Sequence, residues 1–319
     1  FVPHGRGPFP AVVLVHGSSP GERGFYQLYA HHFARQGVAA LAYDRRGSGA
    51  SGGGVESTLE LRARDAAAAI EFLRGQAGID PRSVGLWAFS NGTWSAPMVA
   101  AHMTPVAFMV VTGAAGVSGA ESETHRKLTE LRGWGIGPGI LRDVQTAWRT
   151  AYACIAGGYW PADVAPAEYD ALIERLHSEP ALAAVPLASY AIENPWLAPI
   201  PPNVAAAELQ RNAGRVPDLA YDPLDDYARI TCPVLFFIGE DDPNCPATGA
   251  ALVRDVLARA GNTRSTVEVV PGAGHYINIT PAEIEGMARA EAASELHGLR
   301  FAAGYLERMA AWVSGAARG

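Results

Sequence analysis

Lysine is almost absent from this chain. Lys127 is the only one, and the arginines that stand in its place form no cluster. A nucleic-acid binder needs a basic face, and a net charge of -7 without such a face excludes that class of partner. We read the shortage of lysine as a codon bias toward arginine, without functional weight. Cysteine is scarce too: Cys154, Cys232 and Cys245 cannot all pair within one chain, and their spacing fits no zinc pattern. Neither a disulfide framework nor a metal site is expected, although a single bridge stays open. No apolar run reaches the ~18 residues of a membrane span, and no charged-then-apolar leader is present. That points to the cytoplasm, while a start at Phe1 instead of methionine leaves room for a removed N-terminal piece. The oligomeric state is left open, a homodimer included.

What is present is an ordinary globular composition, 49% hydrophobic and 18% charged, in a chain long enough for a core domain with an insertion. After a Pro- and Gly-rich start, Ala11 to Val15 is a continuous β-branched run, the pattern of a strand buried on both faces of a parallel sheet. Phe25 to Gln36 reads as a helix presenting Phe25, Leu28, Tyr29 and Phe33, closed by Gly37. Val38 to Tyr43 reads as a second strand, Thr58 to Arg74 as a helix, Val84 to Phe89 as a strand, 93 to 103 as a helix and Val106 to Val111 as a strand. Strand and helix alternate, which predicts an α/β fold with a parallel sheet covered on both faces.

The alternation then stops. Between Gly113 and Ile230 there is no buried strand pattern, only amphipathic stretches at 121–132, 139–156, 167–177 and 203–212, separated by proline-rich breaks such as Asn194-Pro195-Trp196 and Ile200-Pro201-Pro202. A structureless loop of that length is improbable, so an all-helical insertion is expected. The organisation predicted is a core in two parts, 1–113 and 230–319, around an insertion at 114–229. The core resumes with strands at Pro233 to Ile238 and Ser265 to Val270, a helix at Ala247 to Ala260 between them, and closing helices at 281–296 and 298–313.

The chemistry centres on Ala88-Phe89-Ser90-Asn91-Gly92. A serine between small residues, where an apolar strand turns at once into a helix, is the nucleophile-elbow pattern, in which a strained turn lifts the hydroxyl clear of the sheet edge. The usual form has glycine at the first small position; alanine there adds one methyl. Two later strands supply partners: one runs into Gly239-Glu240-Asp241-Asp242, the other into Pro271-Gly272-Ala273-Gly274-His275. Ends of parallel strands share one sheet edge, where ligands bind, so Ser90, an aspartate and His275 can converge.

With these motifs in place, VVLVHGSS (12–19), YDRRGSGASGG (43–53), AFSNG (88–92), LFFIGEDDPNCP (235–246) and VVPGAGH (269–275), the chain resembles the α/β-hydrolases, in the chain order Ser, Asp, His. The resemblance implies Ser90 as nucleophile, His275 as base and Asp242 as acid, with Asp241 the alternative. It implies backbone amides of Asn91 and Ser18 as the oxyanion hole, with Ser19 the alternative to Ser18, and His16 as a packing residue. It implies that the loop at 44–51 is structural, not phosphate-binding. The insertion resembles the helical cap of many relatives, whose Trp134, Trp148, Trp160, Trp196, Tyr152, Tyr159 and Tyr190 either line a pocket or form a core. Relatives often carry an antiparallel strand pair before the first motif, of which Phe1-Val2-Pro3 is the last part. The tandem His31-His32 is expected to face solvent, and no cofactor is called for. The expected activity is a cofactor-independent serine hydrolase acting on a small carboxylic ester. A thioesterase, acyltransferase or peptidase with the same residues, and a hydrolase-fold binding protein without turnover, are the alternatives.

Overall fold

The computed structural model describes residues 1–18, 21–54, 58–114, 116–185, 202–211, 217–279 and 300–317. Strands β1 (Phe9–Val15), β2 (Ala39–Leu41), β3 (Ile79–Phe89), β4 (Met109–Thr112), β5 (Val234–Gly239) and β6 (Thr266–Val270) form one sheet in the order β2-β1-β3-β4-β5-β6. Each neighbouring pair is parallel. β4, β5, the last five residues of β1 and the last seven of β3 are buried on both faces, hence their unbroken apolar runs.

On one face Val12, Leu14, Trp87, Phe89, Val110, Leu235 and Phe237 share a core with Tyr29 and Phe33 of helix α1 (Gln27–Arg35) and with Tyr305, Met309 and Val313 of the helix Tyr305–Ala316. On the other, helix α2 (Leu59–Arg74) lays Leu59, Ala63, Ala66, Ile70 and Leu73 against β1 and β3. Their spacing of three and four residues makes one apolar stripe. Thr58 caps α2 by accepting a hydrogen bond from the Leu61 amide.

The strand order positions the site. From β1 the chain moves outward to β2, then crosses back to β3 on the other side of β1, so the loops after β1 and β3 diverge from a topological switch point. In open α/β sheets that crevice is the ligand position.

Several boundaries differ from the sequence reading. β2 spans three residues, not Val38 to Tyr43, because the chain turns off the sheet into a loop organised by the Asp44 carboxylate, which accepts from the amides of Arg23 and Ala50. Those two amides also hold the Asp44 pKa below the ordinary carboxylate value. Helix α1 starts later than expected, after a 3-10 turn at Arg23–Tyr26 that rotates the register, burying Tyr26 and leaving Leu28 exposed. β4 begins at Met109, not Val106. The helix after Ser90, α3 (Gly92–Met98), carries Pro97 and opens into a π turn, Val99–Met103. A proline inside the ladder removes a donor and crowds the preceding carbonyl, which accounts for the widening. The last helix begins at Tyr305, not 298, after Gly304 in the left-handed conformation. The expected helix at 281–296 lies outside the described residues. At the sheet edge Phe1 and Ala40 exchange both backbone hydrogen bonds, an antiparallel pairing.

The chain divides into two compact units, Phe1–Gly116 with Pro223–Gly319, and Val117–Asp222. The second is helical: α4 (Gly119–Gly133), α5 (Pro138–Gly157), α6 (Pro166–His177) and the helix Pro202–Arg211. Its own core holds Leu128, Val144, Trp148, Tyr152, Ile155, Tyr169 and Leu172. Trp148 and Tyr152 are therefore core residues, Trp160 packs at the core's margin, and Trp134 and Tyr159 are exposed. Trp196 and Tyr190 lie outside the described residues, as do most of the proline-rich breaks. Among the described residues no helix is long and apolar enough to cross a membrane.

Candidate active site

Ser90 follows the last residue of β3 with φ 52°, one of two non-glycine residues with positive φ among those described. For a residue with a side chain this left-handed conformation is unfavourable and persists only where surroundings enforce it. They do so here on both sides of the turn. The Ser90 amide donates to the Thr112 carbonyl, and the Ser90 carbonyl accepts from both the amide and the hydroxyl of Thr93. The elbow also lies against the loop after β1. A Cβ on Gly92 would sit 2.6 Å from the His16 oxygen, and one on Gly17 would sit 3.1 Å from Ser90 Cβ. Ala88 is fully buried between Val15 and Val111 on the neighbouring strands, so its methyl is accommodated.

Asp242 and His275 arrive from the loops after β5 and β6. His275 Nε2 is 2.8 Å from Ser90 Oγ, and Nδ1 is 2.9 Å from Asp242 Oδ2 and 3.0 Å from Oδ1. Asp242 is buried and anchored by its own loop: Oδ1 accepts from the amides of Asn244 and Cys245. Its neighbour Asp241 is exposed and is not the carboxylate at His275. The two loops meet tightly, because a Cβ on Gly239 would overlap the carbonyl oxygens of Ala273 and Gly274. Gly239→Ala is therefore expected to cost about 1–3 kcal/mol of stability, read as a lower urea midpoint.

The amides of Ser18 and Asn91 make no hydrogen bond among the described residues. Gly17, the other donor in that loop, is engaged: its amide donates to the Tyr26 hydroxyl at 2.8 Å. Burial pushes the Tyr26 phenol well above its ordinary pKa, so it stays neutral. The Arg45 guanidinium donates to the carbonyls of Gly17 and Ser18, at 3.0 and 2.8 Å, which fixes the orientation of the peptides after His16. His16 itself is buried with its ring against Tyr26 and Tyr43, in a packing role. Ser19 lies outside the described residues. Arg62 of α2 donates to the Asn91 side chain, and Phe89 stacks on Tyr276 beside His275.

Tyr26, Arg45 and Arg62 were not singled out by sequence reasoning. Tyr26 looks like any aromatic of an amphipathic helix, and Arg45 belongs to a loop whose glycines drew the attention. That loop serves structure: Gly49 takes positive φ where a Cβ would meet the Asp44 carboxylate, and Ser51 donates to the Asp44 carbonyl. Of the tandem histidines His31 is exposed, whereas His32 is half-buried and hydrogen-bonds to the Leu306 carbonyl, contrary to the solvent-facing expectation. Cysteine spacing missed one further arrangement: Asp242, Cys245 and His275 together form a group with the donor types of a metal site.

A family model described as "Alpha/beta hydrolase family" matches residues 12–286. Among curated proteins, thiohydrolase aneE of Aspergillus aculeatus is 34% identical over 84 residues, 26% of each chain. Thiohydrolase apmlB of Arthrinium phaeospermum is 31% identical over 113 residues, 35% of this chain and 36% of the other. The chain thus spans about a quarter to a third of the length of these relatives. Among solved structures, the alpha/beta hydrolase GrgF from a Penicillium species superposes with TM-score 0.53 at 16% identity, over 100% of this chain and 93% of the other. An esterase of Pyrococcus furiosus gives 0.52 at 14%, over 89% and 80%. At such identities the likeness is one of fold.

Proposed function

Since the chain belongs to the alpha/beta hydrolase family, we propose that it is a serine hydrolase that cleaves carboxylic esters through Ser90, His275 and Asp242 and an acyl-enzyme intermediate. One observation carries the reading: the continuous hydrogen-bonded line from Ser90 Oγ through the His275 ring to the Asp242 carboxylate. His275 Nε2 is within reach to take the Ser90 proton as Oγ attacks the ester carbonyl, and it returns that proton to the departing alkoxide. Asp242 keeps the other ring proton on Nδ1 and stabilises the imidazolium between the two transfers. Water then repeats the sequence on the acyl-enzyme. The tetrahedral oxyanion would lie between the amides of Ser18 and Asn91, and each such donor contributes about 3 kcal/mol to the transition state.

Labelling by a fluorophosphonate probe tests the proposal. Reaction at Ser90 is expected; a chain that resists the probe and turns over no ester is a binding protein instead. A thioester is the second reading, favoured by the two thiohydrolases among the relatives. Matched ester and thioester substrates compared by kcat/KM separate the two. Tyr26→Phe, which takes the acceptor from the Gly17 amide, is expected to lower kcat by on the order of 10- to 100-fold with a smaller change in KM, because the loop bearing Ser18 loses its anchor.

A further inference from the structure

Asp242, Cys245 and His275 each offer one ligand atom within 4.8 Å of the others, and all three residues are buried. We propose that this set captures a divalent cation of the zinc and cadmium class, and that capture switches the hydrolase off. The inhibitory part rests on the reading of Ser90, His275 and Asp242 as the catalytic residues.

The donor set is one carboxylate, one thiol and one imidazole. These are the ligand types zinc takes, and the sulfur disfavours magnesium or calcium. Two of them, the carboxylate and the thiolate, would balance a charge of 2+, which suits a buried position where an uncompensated ion is costly. For three atoms no more than 4.8 Å apart there is a point within about 2.8 Å of each, so shifts of ~0.5 Å for the sulfur and ~0.6–0.8 Å for the nitrogen and oxygen reach the bond lengths of zinc. The loop already holds the sulfur near the carboxylate: the Cys245 amide donates to Asp242 Oδ1 at 3.0 Å, and Sγ lies 3.6 Å from the Gly113 carbonyl. The other cysteines differ. Burial pushes Cys154 up to about 11 and Cys232 up to about 12, and neither joins such a group among the described residues.

Inhibition follows from the tautomer. In the working state Nδ1 carries a proton facing Asp242 and the Nε2 lone pair faces Ser90. A cation on Nδ1 forces that proton to Nε2, where N–H points at the Ser90 hydroxyl and cannot accept its proton. The Cys245 thiol proton leaves to solvent, so one proton is released per cation bound and nothing is oxidised or reduced.

Ester hydrolysis titrated with zinc chloride, in buffer free of thiols and chelators, tests the inhibition, with each variant normalised to its own metal-free rate. Cys245→Ser is expected to raise the half-inhibiting concentration at least 10-fold, the lower end of what loss of even an outer partner of a metal ligand costs. An unchanged concentration overturns the proposal. Cys245→Ala serves where the serine variant fails to fold. Binding is read separately by the ultraviolet thiolate-to-cadmium absorption on adding cadmium chloride. The band is expected in the wild type and in Ser90→Ala, and reduced in Cys245→Ser. Its absence from the wild type, or its persistence in Cys245→Ser, overturns the site, and a band without loss of activity overturns the switch. Because this readout needs no turnover, it stands even if the ester hydrolase reading fails.

Discussion

Ser90→Ala is expected to lower kcat on a p-nitrophenyl ester by on the order of 10⁶-fold while leaving the urea midpoint close to that of the wild type. The size follows from the role proposed for the hydroxyl. Without Oγ there is no covalent intermediate, and His275 has no proton to take from the enzyme. On the proposed reading the remaining acceleration would come from binding and from the amides of Ser18 and Asn91, typically 10³- to 10⁴-fold over water. The fold should survive because the turn is held by backbone bonds at Thr112 and Thr93 and by close packing at Gly92 and Gly17, none of which uses the Ser90 hydroxyl. Wild-type turnover by this variant would sink the reading of the site.

The sheet was legible from the sequence because burial on both faces writes itself as continuous apolar runs. β1, β5 and the end of β3 are each visible as such. The convergence of Ser90, Asp242 and His275 was legible for a topological reason: the ends of parallel strands share an edge, so three loops distant in sequence need no long-range information beyond strand direction. What was not legible depends on single turns. The 3-10 turn at Arg23–Tyr26 changes which residues of the first helix face the core, and no periodicity announces it. As a result Tyr26, which holds the Gly17 amide, was invisible while Leu28, which is exposed, looked like core. β2 lost half its expected length to a loop whose folding depends on one carboxylate, Asp44, bonding two amides distant from one another in sequence.

The cysteines show the same limit from another side. Spacing rules detect metal sites whose ligands come in local pairs, such as two cysteines two to four residues apart. No second cysteine stands that near Cys245 in the sequence; the fold supplies a carboxylate three residues earlier and an imidazole 30 residues later, on a different strand end. A mixed set assembled by topology has no sequence signature.

Asp242→Asn should lower kcat by about 10⁴-fold with the site otherwise in place, and Asp241→Asn should change it less than about twofold. In the sequence only the family resemblance separated the two adjacent aspartates; the contrast between them is set by burial and by direction. Asp242 is buried with both carboxylate oxygens at His275 Nδ1, while Asp241 is exposed beside it. An amide at position 242 can present its NH₂ to Nδ1. That favours the ring tautomer with the proton on Nε2, which cannot act as base toward Ser90, and it removes the charge that stabilises the imidazolium. The loop itself should persist, because the substituted side chain would keep one carbonyl oxygen to accept from the amides of Asn244 and Cys245, as Asp242 Oδ1 does now. The loss should therefore fall on kcat far more than on KM, and partial recovery is expected at high pH, where hydroxide can replace the enzymic base. A pH profile of kcat for both variants checks this. Equal losses in Asp241→Asn and Asp242→Asn would mean that the loop, and not the carboxylate at His275, is what the reaction needs.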